Sequence, residues 1–264
     1  MSTQASDAAV ILVVADGIAT ITLNRPDARN RLDGEGMAML TEHLRQTAED
    51  PNVRVVILTG TGSTFCAGAD LAGAVAASEG GFATGGTQAL VDVLTTMLDH
   101  PKPIIGRIQG HVAGGGNGLV AACDIAVAAQ SARFAFSEVR LGLAPAIIAT
   151  VCIPRMHPRD AAELLLTGER VGADRVLRAG LITAVAEDDA LDATVSSYVD
   201  ALLAGGPQAL TETKDLLRRI PAMSREEAFA WTAQMSARLF TSEEARAGMT
   251  AFLTKSPAPW APTP

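Results

Sequence analysis

The chain has 264 residues, a formal net charge of −8, and 48% hydrophobic against 19% charged residues. This length suits one large domain or one domain with an appendage, and the apolar fraction argues for a buried core rather than a disordered chain. The acidic balance argues against a broad nucleic-acid or anionic-membrane surface, since both need concentrated positive charge; a local basic pocket for one phosphorylated ligand stays open.

In chain order, Met1–Asp7 carries neither a basic nor an apolar segment of the secretory type. Val10–Val14 and Ile18–Leu23 read as strands around an Asp16-Gly17 turn. Met37, Leu40 and Leu44 recur at helical spacing through about Thr47, and Asp50-Pro51 ends that helix. Val53–Leu58 is a compact apolar run closed by Thr59-Gly60-Thr61-Gly62, as for a strand buried on both faces. Residues 72–88, rich in Gly and Ala, read as a mobile or irregular loop. Leu90, Leu94, Met97 and Leu98 mark a helix, Ile104–Ile108 a strand, Leu119–Ala122 a helix continuing from the glycine cluster at 110–118, Ile125–Ala128 a strand and Phe134–Phe136 another. From about Pro158 the chain turns helical, over Ala161–Leu166, Ala173–Ala179, Leu191–Leu203, Pro207–Arg219, Arg225–Phe240 and Glu243–Leu253. The most apolar stretch, Leu141–Pro154, is too short for a membrane span and is interrupted by Gly142 and Pro145. Cys66, Cys123 and Cys152 are widely spaced with no C-x-x-C, as expected of buried free thiols in a reducing cytoplasm. A soluble cytoplasmic α/β protein is expected.

Three segments carry candidate chemistry. Gly110–Leu119 fails both the dinucleotide fingerprint and the Walker pattern. It offers bare backbone N–H groups at a helix start, attractive to negative charge; a close-packed turn would show the same residues. Phe65–Leu71 again leaves the backbone bare, and nothing beside Cys66 would activate it as a nucleophile. Glu138 stands between two apolar runs, where desolvation would raise its pKa toward the range useful for proton transfer, unless it forms a structural ion pair with Arg140. His43, His100, His111 and His157 are scattered without metal-ligand spacing. His111, beside the glycine cluster, reads more readily as a structural histidine.

Taken together and in order, these pieces resemble the crotonase (enoyl-CoA hydratase/isomerase) superfamily from about Ile11 to Trp260. The resemblance rests on Asn24-Arg25-Pro26 with Arg29-Asn30-Arg31-Leu32, Val55–Gly60, Cys66-Ala67-Gly68-Ala69-Asp70, Gly114–Gly116 with Ala122-Cys123-Asp124-Ile125, and Ser137–Pro145. It implies an α/β fold with a ββα spiral core over 1–200. A helical region over 201–264 would support trimers or dimers of trimers and cover the active site.

It further implies an acyl-CoA thioester substrate, coenzyme A being part of the substrate rather than a resident cofactor, and no metal, nucleic-acid or membrane partner. The matching oxyanion donors are the backbone N–H groups of Ala69 and Gly115, fixed before reaction and more strongly engaged as charge develops. Glu138 matches the acid/base that exchanges a proton near Cα. Ala28, Arg29, Ala67, Gly68, Asp70, Leu71 and Gly114 match substrate- or CoA-binding positions, and Lys255 matches a basic residue that reaches a CoA phosphate; Arg29 and Lys255 would equally suit a solvated surface. The chain departs from the two-glutamate hydratases at Gly118, where they carry their other carboxylate. Hydration of a 2-enoyl-CoA is the first expectation. An enoyl-CoA isomerase using Glu138 alone, an acyl-CoA-binding protein that has lost hydratase chemistry, or, last, a hydrolase remain as alternatives; Asp70, Asn117 and His111 are the other candidates for placing water, although none occupies the matching position.

Overall fold

The structure is a computed structural model and describes residues 8–70 and 81–261, with backbone alone for 81–85. Strands β1 (Val10–Ala15) and β2 (Ile18–Leu23) form a hairpin closed by Asp16 and Gly17, both at positive φ, as a two-residue turn between right-twisted strands requires. Helix α1 (Gly34–Glu49) starts where Asp33 Oδ1 accepts the Gly36 N–H at 2.8 Å, which satisfies one of its orphan donors.

The next strands alternate between two sheets: β3 (Val55–Gly60) then β4 (Thr64–Cys66), β5 (Ile104–Ile108) then β6 (His111–Ala113), β7 (Ile125–Ala129) then β8 (Arg133–Ala135). With β9 (Arg170–Gly172) and β10 (Ala184–Ala186) this gives a six-stranded sheet, β1-β2-β3-β5-β7-β10, and a four-stranded sheet, β4-β6-β8-β9. The spiral of ββ units is therefore observed. In the large sheet all neighbours beyond the hairpin are parallel. Both of its faces are buried: Val56, Leu58, Ile104 and Ile108 face the main core, while Val55, Ile105 and Val127 pack on Leu191, Val195, Val199 and Leu203 of helix α7 (Leu191–Leu203). This double burial is why Val53–Leu58 and Ile104–Ile108 are unbroken apolar runs rather than alternating ones.

Between these strands lie α2 (Gly81–Asp99), α3 (Gly115–Ala122), α4 (Ala146–Cys152), α5 (Pro158–Thr167) and α6 (Ala173–Ala179); the chain ends in α8 (Pro207–Arg219), α9 (Arg225–Phe240) and α10 (Glu243–Thr254). The loop expected over 72–88 is corrected from residue 81 onward, because α2 begins at Gly81; residues 71–80 lie outside the described part. Gly85 and Gly86 are poor helix formers, yet adding residues to a helix already nucleated and packed through Val93, Leu94 and Met97 costs far less than starting one. The C-terminal helices attach through buried polar contacts. Lys214 Nζ lies 2.7 Å from Asp124 Oδ2, and Arg54 donates to the carbonyls of Leu203, Gly205 and Trp260. Among the described residues no helix is long and apolar enough to cross a membrane.

Candidate active site

β4, β6 and β8 are parallel neighbours, so their carboxyl ends share one edge of the small sheet. Three segments leave that edge together: Ala67–Asp70 after β4, Gly114 and Gly115 after β6, and Phe136–Glu138 after β8. The carboxyl edge of parallel strands is where α/β sheets commonly hold ligands. Here the three sequence candidates meet. Ala69, Gly115 and Glu138 line one cleft of about 300 Å³, whose wall is apolar: Leu32, Met37, Leu90, Leu143, Ile147 and Ile148.

The first two turns touch back to back. Gly68 sits at φ +85°, and a Cβ there would stand 2.8 Å from Ala113 O and 3.3 Å from Gly114 Cα. Only glycine meets both demands. The neighbouring Ala69 forms a parallel bridge with Leu32, in which Leu32 N donates to Gly68 O at 2.7 Å, so the bridge does not consume the Ala69 N–H. Gly115 is the first residue of α3, where a backbone N–H has no acceptor within the helix.

Glu138 lies in a 3-10 turn over Ser137–Leu141 that Gly142 closes at φ +74°. Leu143 N donates to Glu138 O at 3.0 Å, which fixes the backbone. The side chain is half-buried, its Oε2 is fully buried without a partner, and desolvation holds the carboxyl above the usual carboxylate range, partly offset by its own backbone N–H. Arg140 instead donates to Thr167 O at 3.1 Å. The geometry therefore places a carboxyl held above its usual range in an apolar cleft that Ala69 and Gly115 also line.

The space beside Gly118 is occupied. A Cβ there would stand 2.7 Å from Ile148 Cγ2 and 3.5 Å from Leu94 Cδ1. Gly118 is thus a close-packing point between α3 and α4, and no second carboxylate reaches the cleft from it. His111 is exposed and does not line the cleft. Asn117 is buried, and its amide joins the glycine turn to β8.

The CoA-binding candidates fall into two groups. Ala28–Leu32 and Ala67–Asp70 lie side by side: Ala67 N donates to Arg29 O at 3.0 Å, and Arg31 pairs with Asp70 at 3.4 Å. Buried Asn30 pins this strip by donating to Thr61 O and Thr64 O, a role sequence reading missed. The Arg29 side chain is exposed. Lys255 caps the end of α10, exposed and outside the cleft lining, so the structure does not bring it to the other candidates. Leu71 lies outside the described residues.

The cysteines are free and buried; burial pushes the Cys66 thiol up to about 12, so it is no nucleophile at neutral pH. Among the described residues no His, Cys, Asp and Glu grouping could hold a metal ion. Sequence reading also missed the apolar wall from Leu143 to Ile148, whose signal was the unusually apolar stretch following Glu138.

A two-sheet ββα spiral with a cleft at the carboxyl edge of its small sheet places this molecule among the crotonase-fold proteins. The chain belongs to the enoyl-CoA hydratase/isomerase family, whose model matches residues 14–263. It is 34% identical to (E)-benzylidenesuccinyl-CoA hydratase of Thauera aromatica over 248 residues, covering 92% of this chain and 95% of that protein. It is likewise 34% identical to enoyl-CoA hydratase EchA19 of Mycobacterium tuberculosis, covering 89% and 90%. Among solved structures, an enoyl-CoA hydratase of Mycobacterium smegmatis superposes with a TM-score of 0.91 at 33% identity, covering 96% of this chain and 98% of that one.

Proposed function

We propose that the protein hydrates a 2-enoyl-CoA thioester bearing an apolar acyl group. The observation that carries this reading is the lining of one apolar cleft by Ala69, Gly115 and Glu138. The thioester oxygen lies between the N–H groups of Ala69 and Gly115, which stabilise the enolate more than the ground state. Each such donor is worth about 2.7–4 kcal/mol of barrier. The Glu138 carboxylate takes a proton from water as the water oxygen bonds to Cβ, and the electron pair of the double bond moves onto the enolate. Glu138 then returns that proton to Cα, so one water is added and the carboxylate is regenerated. The raised pKa of Glu138 suits both halves of this exchange. Relatives named as hydratases support the reaction class.

The filled space at Gly118 favours a second reading. One carboxylate suffices to move a proton between two carbons, so a 3-enoyl-CoA isomerase would use the same donors and the same Glu138. In either case the strip of Ala28–Leu32 and Ala67–Asp70 holds the nucleotide end of CoA largely through backbone, with exposed Arg29 available to its phosphates. The helices beyond residue 200 serve assembly, as a homotrimer or a pair of trimers; exposed Phe229, Phe240, Phe252 and Leu253 support such burial.

The test follows the conjugated-thioester absorbance of crotonyl-CoA and a branched 2-enoyl-CoA, with a 3-enoyl-CoA in parallel, for the native protein and Glu138→Gln. Turnover of the 2-enoyl substrates with an acid limb above the ordinary carboxylate range, lost in the variant, is expected. Undiminished turnover in Glu138→Gln overturns the assignment, and turnover of the 3-enoyl substrate alone selects the isomerase.

A further inference from the structure

We infer that Asn117 is a positioning residue for this site, an amide strut that holds the Gly114–Gly115 turn in register with the segment carrying Glu138. The inference rests on the proposed chemistry for its consequence but on separate contacts for its geometry. Asn117 stands in the first turn of α3 and is fully buried. Its Nδ2 donates to Ala135 O at 2.9 Å and reaches Gly114 O at 3.4 Å. Ala135 O also accepts the Gly114 N–H at 3.2 Å. One carbonyl, three residues before Glu138, is therefore held by two donors that flank Gly115 in the chain, the Gly114 N–H and the Asn117 amide.

The other half of the amide is unspent: Asn117 Oδ1 is buried with no partner. Burying an unsatisfied acceptor costs more than burying leucine of similar size, so core packing alone does not account for an amide here. What the amide supplies is the tie between two loops. The two carbonyls also fix its orientation, because only the NH₂ end can face them. A misplacement of about 1 Å between reacting groups can cost on the order of 100-fold in rate, so the tie acts on kcat rather than on affinity.

The test compares Asn117→Leu and Asn117→Asp with the native protein. In Asn117→Leu, kcat is expected to fall about 30-fold with KM within about threefold. In Asn117→Asp the introduced carboxyl faces two carbonyls, so it donates only while protonated. Activity relative to the native enzyme is then recovered toward low pH and lost as pH rises. Cys152, whose thiol reaches Asn117 O at 3.5 Å, is pushed up by burial and stays protonated through this range.

Amide hydrogen exchange over 113–118 and 135–139 gives a readout free of turnover, with faster exchange in Asn117→Leu than in the native protein. Unchanged exchange in that variant, or an Asn117→Asp/native activity ratio independent of pH, overturns the inference. If the native protein turns over no enoyl-CoA, the proposed chemistry fails while the exchange arm still decides the strut.

Discussion

Adding one methyl group at Gly118 tests whether the space beside it is filled. The new Cβ would stand 2.7 Å from Ile148 Cγ2 and 3.3 Å from Ile148 Cβ, and a β-branched side chain cannot swing its γ2 methyl away without changing rotamer. Overpacking of this kind costs about 1–3 kcal/mol. Gly→Ala within a helix returns about 1 kcal/mol, so Gly118→Ala should lose between about 0 and 2 kcal/mol, and at the middle of that range lower Tm by about 2–4 °C. Ile148→Ala alone opens a cavity and should lose about 3 kcal/mol. The double variant should lose about 1–3 kcal/mol less than the sum, the full overpacking cost, because the second change removes the clash created by the first. Thermal and urea unfolding of the four proteins measure the cycle. A more stable Gly118→Ala, with only the helix-propensity gain expressed, or strict additivity would refute the packing described here.

His100 offers a pH test of stability. Burial lowers its pKa from 6.5 to about 4, and the ring contacts Thr47 and Lys102. The unfolded chain binds the proton more readily, so stability is full above about 6.5 and falls as pH drops toward about 4, by on the order of 2–3 kcal/mol. Urea unfolding of native protein against His100→Gln across that range should show the extra slope only with histidine; parallel curves refute it. Lys214→Ala removes the cation paired with Asp124, leaving it the Ile104 N–H among the described residues, and should cost about 3 kcal/mol, read by chemical unfolding. A loss below about 0.5 kcal/mol would mean the pair behaves as a solvated surface contact.

Much of this molecule could be read from residue pattern. The hairpin, α1 and the long strands announce themselves by turn residues and apolar runs, and α6, α7, α8 and α9 fall on the predicted spans. The three-residue strands β4, β6, β9 and β10 did not, because three residues hold too little periodicity to separate a strand from a loop. β4 and β6, with the β8 that the sequence did show, bring Ala69, Gly115 and Glu138 together, so motif order pointed to the site while its convergence depended on pairing between distant segments. The start of α2 was hidden by glycines that intrinsic propensity counts against helix. Ile148 filling the space beside Gly118 was invisible for a further reason: the two residues are 30 positions apart on different helices.

Because Ala69 and Gly115, held at the edge of the small sheet, line the cleft together with one continuous piece of wall, Leu143 to Ile148, the two tasks of the pocket are separable. Substitution along that wall can resize the chamber while the hydrogen-bonded ladder beneath it keeps its spacing. The molecule is thereby open to retailoring for new side groups with its reacting end left intact.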